Sequence, residues 1–386
     1  MEGFARYAPI IERIEALARA RGLSFDPVYF RLTDSDEIAE VASMGLPNRF
    51  IHWYWGGAYK ELVAQQNKDL FSILELVLNT NPSHAFLRAN NTYLQNVLVI
   101  AHVFGHLDFF KNNHWYRKSN KNMLNEAELH ARLIRRYEGK HGREKVESLL
   151  DALLTVATTV NAFERSAEVR RRRLIYFLED RAPLEDYERH LLQSVREEAE
   201  YFDLIQRTHI INEGWATFVE AELLREILDP QEWVSISVQL SSRPAPYTIG
   251  YSLFKAIRDG RGFDAALDAR TYYEDVMLIQ DALTEDLIRR LDIFVYDPKE
   301  KQKSYDIQRV RDMLIDQKEH KGQPHVEVEV GHHRDLTLVH REEERKLEAK
   351  RIALFLRAVH SLWRNPVRLR ANGKVFSYDR RGFSST

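Results

Sequence analysis

The chain has 386 residues, with 56 basic and 58 acidic side chains, a near balance that gives no electrostatic reason to expect a nucleic-acid partner. It contains no cysteine, which excludes disulfides, thiolate nucleophiles and Cys-type zinc sites together, so any metal must rest on His, Asp or Glu. Residues 1–25 mix apolar and charged side chains, and no apolar run approaches a membrane span, so a cytoplasmic protein without a signal peptide or membrane partner is expected.

The first predicted helix is Tyr7–Arg21, ended by Gly22. A loop-rich stretch with Pro27, Gly45 and Pro47 leads to an aromatic group, Phe50, His52, Trp53, Tyr54 and Trp55, closed by Gly56-Gly57. Apolar residues at helical spacing then predict a helix from Tyr59 to Leu78, stopped at Asn79-Thr80-Asn81-Pro82. Further helices are predicted over about 92–112, 122–138, 143–163, 184–206 and 210–228. Glycine is scarce here and strand-like alternation is absent, so residues 1–300 read as one large helical domain.

The pattern then changes. His325–Val330 alternates with period two, Gly331 turns the chain, and Leu336–Val339 reads as a second strand. Arg341–Trp363 is helical in pattern, and Val367–Leu369 and Val375–Tyr378 flank Asn372-Gly373, the dipeptide preferred by a two-residue type I′ hairpin. The expected fold class is mainly α, with a small C-terminal α+β domain over 301–386 ordered strand, strand, helix, strand, strand. The charged segment Asp297–Gly322 is its connection.

Two segments could carry chemistry. Tyr93–Phe110 is apolar almost all round, which marks a buried helix, and His102 and His106 share one face of it. Buried polar groups left unpaired cost about 1–3 kcal/mol each, so the two imidazoles need a partner. A divalent cation satisfies both, and hydrogen bonds to backbone or carboxylates are the alternative. Chance alone gives roughly 0.6 such pairs in a chain with 15 histidines, so the spacing does not decide between them. The second segment is His209–Glu220, in which Glu213 and Glu220 enter a helix rich in Trp215, Phe218, Val219 and Leu223. A carboxylate in that setting wants a cation or a buried donor, unless it is simply a first-turn Glu favoured by the helix dipole.

Together the two segments resemble the zinc aminopeptidases of the gluzincin type, which carry HExxH on one helix and N-E-G-F-A on a later one. Asn212-Glu213-Gly214-Trp215-Ala216 is similar to the second element. The resemblance implies a zincin-like domain in which His102, His106 and Glu213 hold Zn2+ or another divalent metal. The general base of HExxH falls on Val103, so hydrolysis would need another base. Glu220 is one candidate, two helical turns from Glu213 on the same face. His130 is another, as proton carrier or fourth ligand, against a half-buried structural histidine. An acid from Glu197-Glu198 is a third. Tyr247 could donate to an oxyanion, against a structural turn tyrosine. Asp108 points away from His106 and could orient a ligand on another helix, or pair with Lys111 or Asn112. Arg170–Arg173 reads as a solvated, ion-paired helix.

A broader resemblance is to the stage V sporulation protein R (SpoVR) family. It rests on Met44–Trp53, Ala101–His106 with Asp108–Asn113, Gly142–Glu147, Val195–Glu198 with Tyr201-Phe202, Asn212–Ala216, Pro246–Gly250 with Phe254, and Thr284–Leu287, all in the same order. It implies a bacterial protein linked to the spore cortex, a peptidoglycan layer. It also implies partners encoded beside it, a serine kinase and a von Willebrand A-type protein. The expected function is a metal-dependent hydrolase of peptidoglycan-type or peptide amide bonds. The alternative is a non-catalytic scaffold or regulator with a structural metal or none.

Overall fold

The computed structural model describes residues 2–55, 75–164, 166–297, 301–319, 326–332, 335–340 and 346–386. The protein is mainly α, as the patterning predicts. In chain order the elements used below are α1 (Ala8–Ala20), β1 (Val28–Thr33), β2 (Glu75–Leu78), β3 (Ser83–Arg88), α2 (Tyr93–Asn112), α3 (Met123–His141) and α4 (Arg143–Ala157). There follow α5 (Asp186–Arg207), α6 (His209–Ile227), α7 (Ala245–Arg261), α8 (Phe263–Tyr272), α9 (Asp275–Ala282) and α10 (Ile307–Glu319). The last are β4 (Val326–His332), β5 (Asp335–His340), α11 (Ala349–Trp363), β6 (Val367–Ala371), β7 (Lys374–Asp379) and β8 (Gly382–Ser385). No helix among the described residues is long and apolar enough to cross a membrane.

The chain gathers into two compact units. The first comprises Met1–Pro47, Trp53–Leu124 and Ile205–Glu319, and the second Asn48–His52, Asn125–Leu204 and His320–Thr386.

In the first unit α2 and α6 are buried along almost their whole length and pack on each other, and α7 packs on α6. Small residues set these distances. A Cβ on Gly105 would meet the Ala216 backbone at 2.6 Å, and Gly214 and Gly250 face each other backbone to backbone. A capping box fixes the start of α2, with Thr92 accepting from Gln95 N–H and Gln95 accepting from Thr92 N–H. Buried Asp275 of α9 accepts from the N–H groups of Ile210 and Ile211 and so caps the first turn of α6.

This unit also holds a sheet that residues 1–300 were not expected to contain. Its order is β1-β3-β2, with β1 parallel and β2 antiparallel to β3. Of the helix expected over Tyr59–Leu78, residues 59–74 lie outside the described residues, and Glu75–Leu78 is strand. The strands are four to six residues long, too short for alternation to stand out.

In the second unit a five-stranded sheet runs β8-β7-β6-β5-β4. The order strand, strand, helix, strand, strand is present, with β8 added at the edge. Neighbouring β5 and β6 are parallel, which requires the crossover that α11 provides, and α11 packs on α4. The Asn372-Gly373 turn joins β6 and β7 with φ of 54° and 69°, the positive pair a type I′ turn needs.

Candidate metal centre

His102 and His106 stand one turn apart on α2, and Glu213 faces them from the second turn of α6. Glu213 Oε2 lies 3.4 Å from His102 Nε2 and 3.5 Å from His106 Nε2. Among the described residues this is the one group of three metal-capable side chains whose ligand atoms all lie within 4.8 Å of one another. Ligand atoms bound at zinc distances of about 2.0–2.2 Å in a tetrahedral site stand roughly 3.3–3.6 Å apart. The two separations from Glu213 match that spacing and are longer than ordinary hydrogen bonds.

The far nitrogen of each ring is already committed. His102 Nδ1 lies 2.8 Å from Glu220 Oε2, and His106 Nδ1 lies 2.9 Å from Asn212 Oδ1. Arg243 Nη1 is also near, 3.2 Å from His102 Nδ1, but it is a donor, and the carboxylate is the acceptor that decides where the proton sits. Both Nδ1 atoms therefore donate, and both Nε2 atoms turn a lone pair toward Glu213 when the rings are neutral. Burial does keep His106 neutral, pushing it down to about 4 against the opposing pull of Glu213. Burial also opposes ionisation of Glu213, but the charge that His106 carries when protonated, with His102 and His209, outweighs it and lowers its carboxyl, so Glu213 is already ionised where His106 becomes neutral. The result is a buried carboxylate oxygen that accepts no hydrogen bond and faces two ring nitrogens. That orphaned oxygen, with two lone pairs beside it, fits a cation.

Glu220 contacts His102 at Nδ1, whereas Glu213 faces its Nε2. Glu220 is fully buried, and Arg243 grips it through Nη1–Oε2 at 2.7 Å and Nη2–Oε1 at 3.1 Å. Arg243 also donates to Thr217 Oγ1 at 3.2 Å. Tyr247, in the first turn of α7, stacks its ring on His102 with centroids 5.8 Å apart. Asp108 turns away from both histidines. It accepts from Ser24 N–H, Trp215 Nε1 and Asn112 Nδ2 and lies 3.2 Å from Arg270 Nε, tying α2 to α6 and α8. Burial pushes it up to about 6 even so.

His130 and the Glu197-Glu198 pair belong to the second unit, where they form a cluster of their own. Glu198 receives Arg49 Nε at 2.5 Å, and its other oxygen lies 3.0 Å from His130 Nδ1, while Glu197 lies 3.4 Å from His130 Nε2. Arg170 and Arg172 are ion-paired with Glu200 and Glu168. Trp53 and Tyr54 are exposed.

Three further contributors to the centre are Asn212, Arg243 and His209, whose Nε2 lies 3.9 Å from Glu213 Oε1; Asn212 and His209 lie in the segment read from the sequence, which assigns them no role. Arg243 does carry one signal, being the lone charged residue between Glu232 and Lys255.

The motif residues that build this centre, together with Arg49 and Glu198, lie inside the span matched by a family model described as SpoVR like protein, over residues 3–173 and 162–323. The chain belongs to the SpoVR family. The chain is also similar to the protein YcgB of Escherichia coli (strain K12), 26% identical over 318 residues, covering 64% of this chain and 62% of YcgB. The match thus spans less than two thirds of that relative. No solved structure matches the chain.

Proposed function

We propose that this SpoVR-family protein is a metal-dependent hydrolase of amide bonds, with His102, His106 and Glu213 as ligands of a divalent cation, zinc by the donor set. The observation that carries this reading is the convergence of two Nε2 atoms on a buried carboxylate oxygen that takes no hydrogen bond. Neutral imidazoles around an ionised carboxylate leave a buried negative charge, and an uncompensated buried charge costs several kcal/mol. Two imidazoles and one carboxylate are also the protein ligands of hydrolytic zinc sites that keep one position open. When bound there, the cation would polarise a carbonyl and acidify a water.

The chain's own residues then have separable parts. Glu220 and Asn212 orient the two imidazoles and keep their Nε2 lone pairs forward. Arg243 grips both oxygens of Glu220 and holds it in place. Tyr247 stacks on His102, and its hydroxyl is the candidate donor to a substrate oxygen. His130, engaged with Glu197 and Glu198, is given no part in the reaction. The family's tie to the spore cortex makes peptidoglycan-type amides the first substrates to try, before unmodified peptides.

Val103 favours a second reading, in which the same ligands hold a metal in a scaffold without turnover, because the carboxylate that serves as base in the HExxH scheme has no counterpart beside His102. Metal analysis of freshly purified protein beside His102→Ala tests the first step, and assay of the zinc-loaded protein on muropeptide and peptide amides tests the second. About one zinc per chain in the parent and none in the variant is expected. Absence of metal in both would end the proposal, and metal without turnover on any amide would leave the scaffold.

A further inference from the structure

The ligands come from two helices, and each helix carries an i, i+4 pair. On α2 the pair is His102 and His106, and on α6 it is His209 and Glu213. His209 opens α6, one turn ahead of Glu213 on the same face. Glu213 uses its two oxygens differently. Oε2 faces the α2 histidines, and Oε1 lies 3.9 Å from His209 Nε2. The His209 ring stands outside the cluster whose atoms lie within 4.8 Å of one another. Its environment differs from that of the other ligands too. His102 is fully buried and Glu213 nearly so, whereas the His209 side chain is 45% exposed. A ring at a helix start with that much solvent around it can change rotamer without disturbing a core.

We infer that His209 is a fourth, exchangeable protein ligand, closing the coordination of the cation at rest and withdrawing when a substrate oxygen enters. This rests on the metal reading above. It accounts for an imidazole placed beside a metal-type carboxylate yet, among the described residues, held by nothing as firm as the Glu220 and Asn212 contacts of the other two rings. Four protein ligands make a closed site and three make an open one, so a ligand that swings decides which of the two the centre is.

The test uses Co2+ alone as probe, titrated into the chelator-treated full chain and followed by its visible absorption, with Zn2+ competition for affinity. The parent is expected to show the intense bands of a four-coordinate site. His209→Ala should weaken Co2+ and Zn2+ binding by at least about tenfold, since even residues that only orient ligands contribute that much. It should also shift the bands, and free imidazole should restore the parent spectrum. Unchanged circular dichroism keeps a folding defect apart from a ligand defect. Parent-like affinity and spectrum in His209→Ala would overturn the role of His209 and leave the three-ligand centre standing. A parent that binds neither cation would overturn both.

Discussion

Two buried clusters of histidine and carboxylate, one in each unit, solve the same electrostatic problem in opposite ways. In the second unit Glu198 is only 1% exposed, yet both its oxygens are answered, one by Arg49 and one by His130. The Arg49 guanidinium also lies over the Phe202 ring, 4.5 Å from its centroid. Every charge there has a protein partner within hydrogen-bond reach. In the first unit Glu213 meets two imidazoles at 3.4 and 3.5 Å and accepts a hydrogen bond from neither. The imidazoles spend their N–H groups elsewhere, on Glu220 and Asn212. A cluster that closes on itself is structural. One that aims its lone pairs at a common point is arranged for something the chain does not supply.

The sharpest way to break this contrast is to remove the orphaned oxygen's charge. Glu213→Gln keeps the shape of the side chain and loses the ligand. Its zinc content is expected to fall from about one per chain to none, an affinity loss exceeding the roughly 100-fold that outer residues can cause. Zinc retained in Glu213→Gln would mean that the first cluster also closes on itself. The matching change in the second unit is Arg49→Ala, which strands Glu198. Breaking a buried pair from one side costs about 3–5 kcal/mol, to be read as a shift in the denaturant midpoint, with zinc content unchanged. A midpoint within error of the parent would show that the pair is not what holds the second cluster.

Smaller effects are expected one step out from the metal. Glu220→Gln keeps an acceptor for His102 Nδ1 but removes the charge that Arg243 grips. Metal affinity should drop by about 10–100-fold, the usual range for residues that orient a ligand. Were Glu220 a base instead, the variant would bind zinc like the parent and lose only turnover.

These residues also show how far the sequence alone could be read. The helix expected over 92–112 is found at Tyr93–Asn112, because a capping box marks its start and an unbroken apolar run carries it inward. The i, i+4 spacing put His102 and His106 on one face, and the Asn212–Ala216 segment pointed to Glu213; in the structure all three meet. Glu220 was legible as a buried carboxylate on the Glu213 face, but its partner was not. Seven residues along a helix is roughly 10 Å, and His102 spans that gap, turning Nε2 to Glu213 and Nδ1 to Glu220. Only the packing of α2 on α6 through Gly105 and Ala216 reveals it. Arg243 was out of reach for the same reason, since its partners stand 23 to 141 residues away. The small sheet β1-β3-β2 was missed because short strands with mixed burial carry little period.

Titration separates the two clusters by sign. Burial would lower His130, but its hydrogen bond to Glu198 and the charges of Glu198, Glu197 and Glu126 outweigh it and hold the imidazole above its ordinary 6.5. Its stabilising contribution is therefore complete below 6.5 and lost as pH rises through the raised value. His106 behaves in the opposite way, with burial depressing it from 6.5 to about 4. Its contribution is present above 6.5 and is lost as pH falls toward 4. Denaturant midpoints of the chelator-treated protein between those limits should thus respond differently to two variants. His130→Gln should flatten the alkaline side of the stability profile, and His106→Gln the acid side. Parallel profiles for both variants would remove the distinction.

The smallest expected effect is also the most informative about catalysis. Val103 sits beside His102 on α2, fully buried. A carboxylate at that position is what the HExxH scheme uses to take a proton from the attacking water, at about 2.6–3.2 Å. Val103→Glu would place an acid on the helix that carries two of the three ligands. If the cation and its open position are as proposed, the variant should gain slow but measurable cleavage of peptide amides above the parent. The gain should be small, because the pocket has not been shaped around a charge there, and a buried carboxylate without its water costs stability. Cleavage that disappears with chelator and returns with zinc would tie the gain to this centre. A folded, zinc-loaded Val103→Glu protein with no cleavage would count against a peptidase-type geometry, because the missing base would then have been supplied without effect.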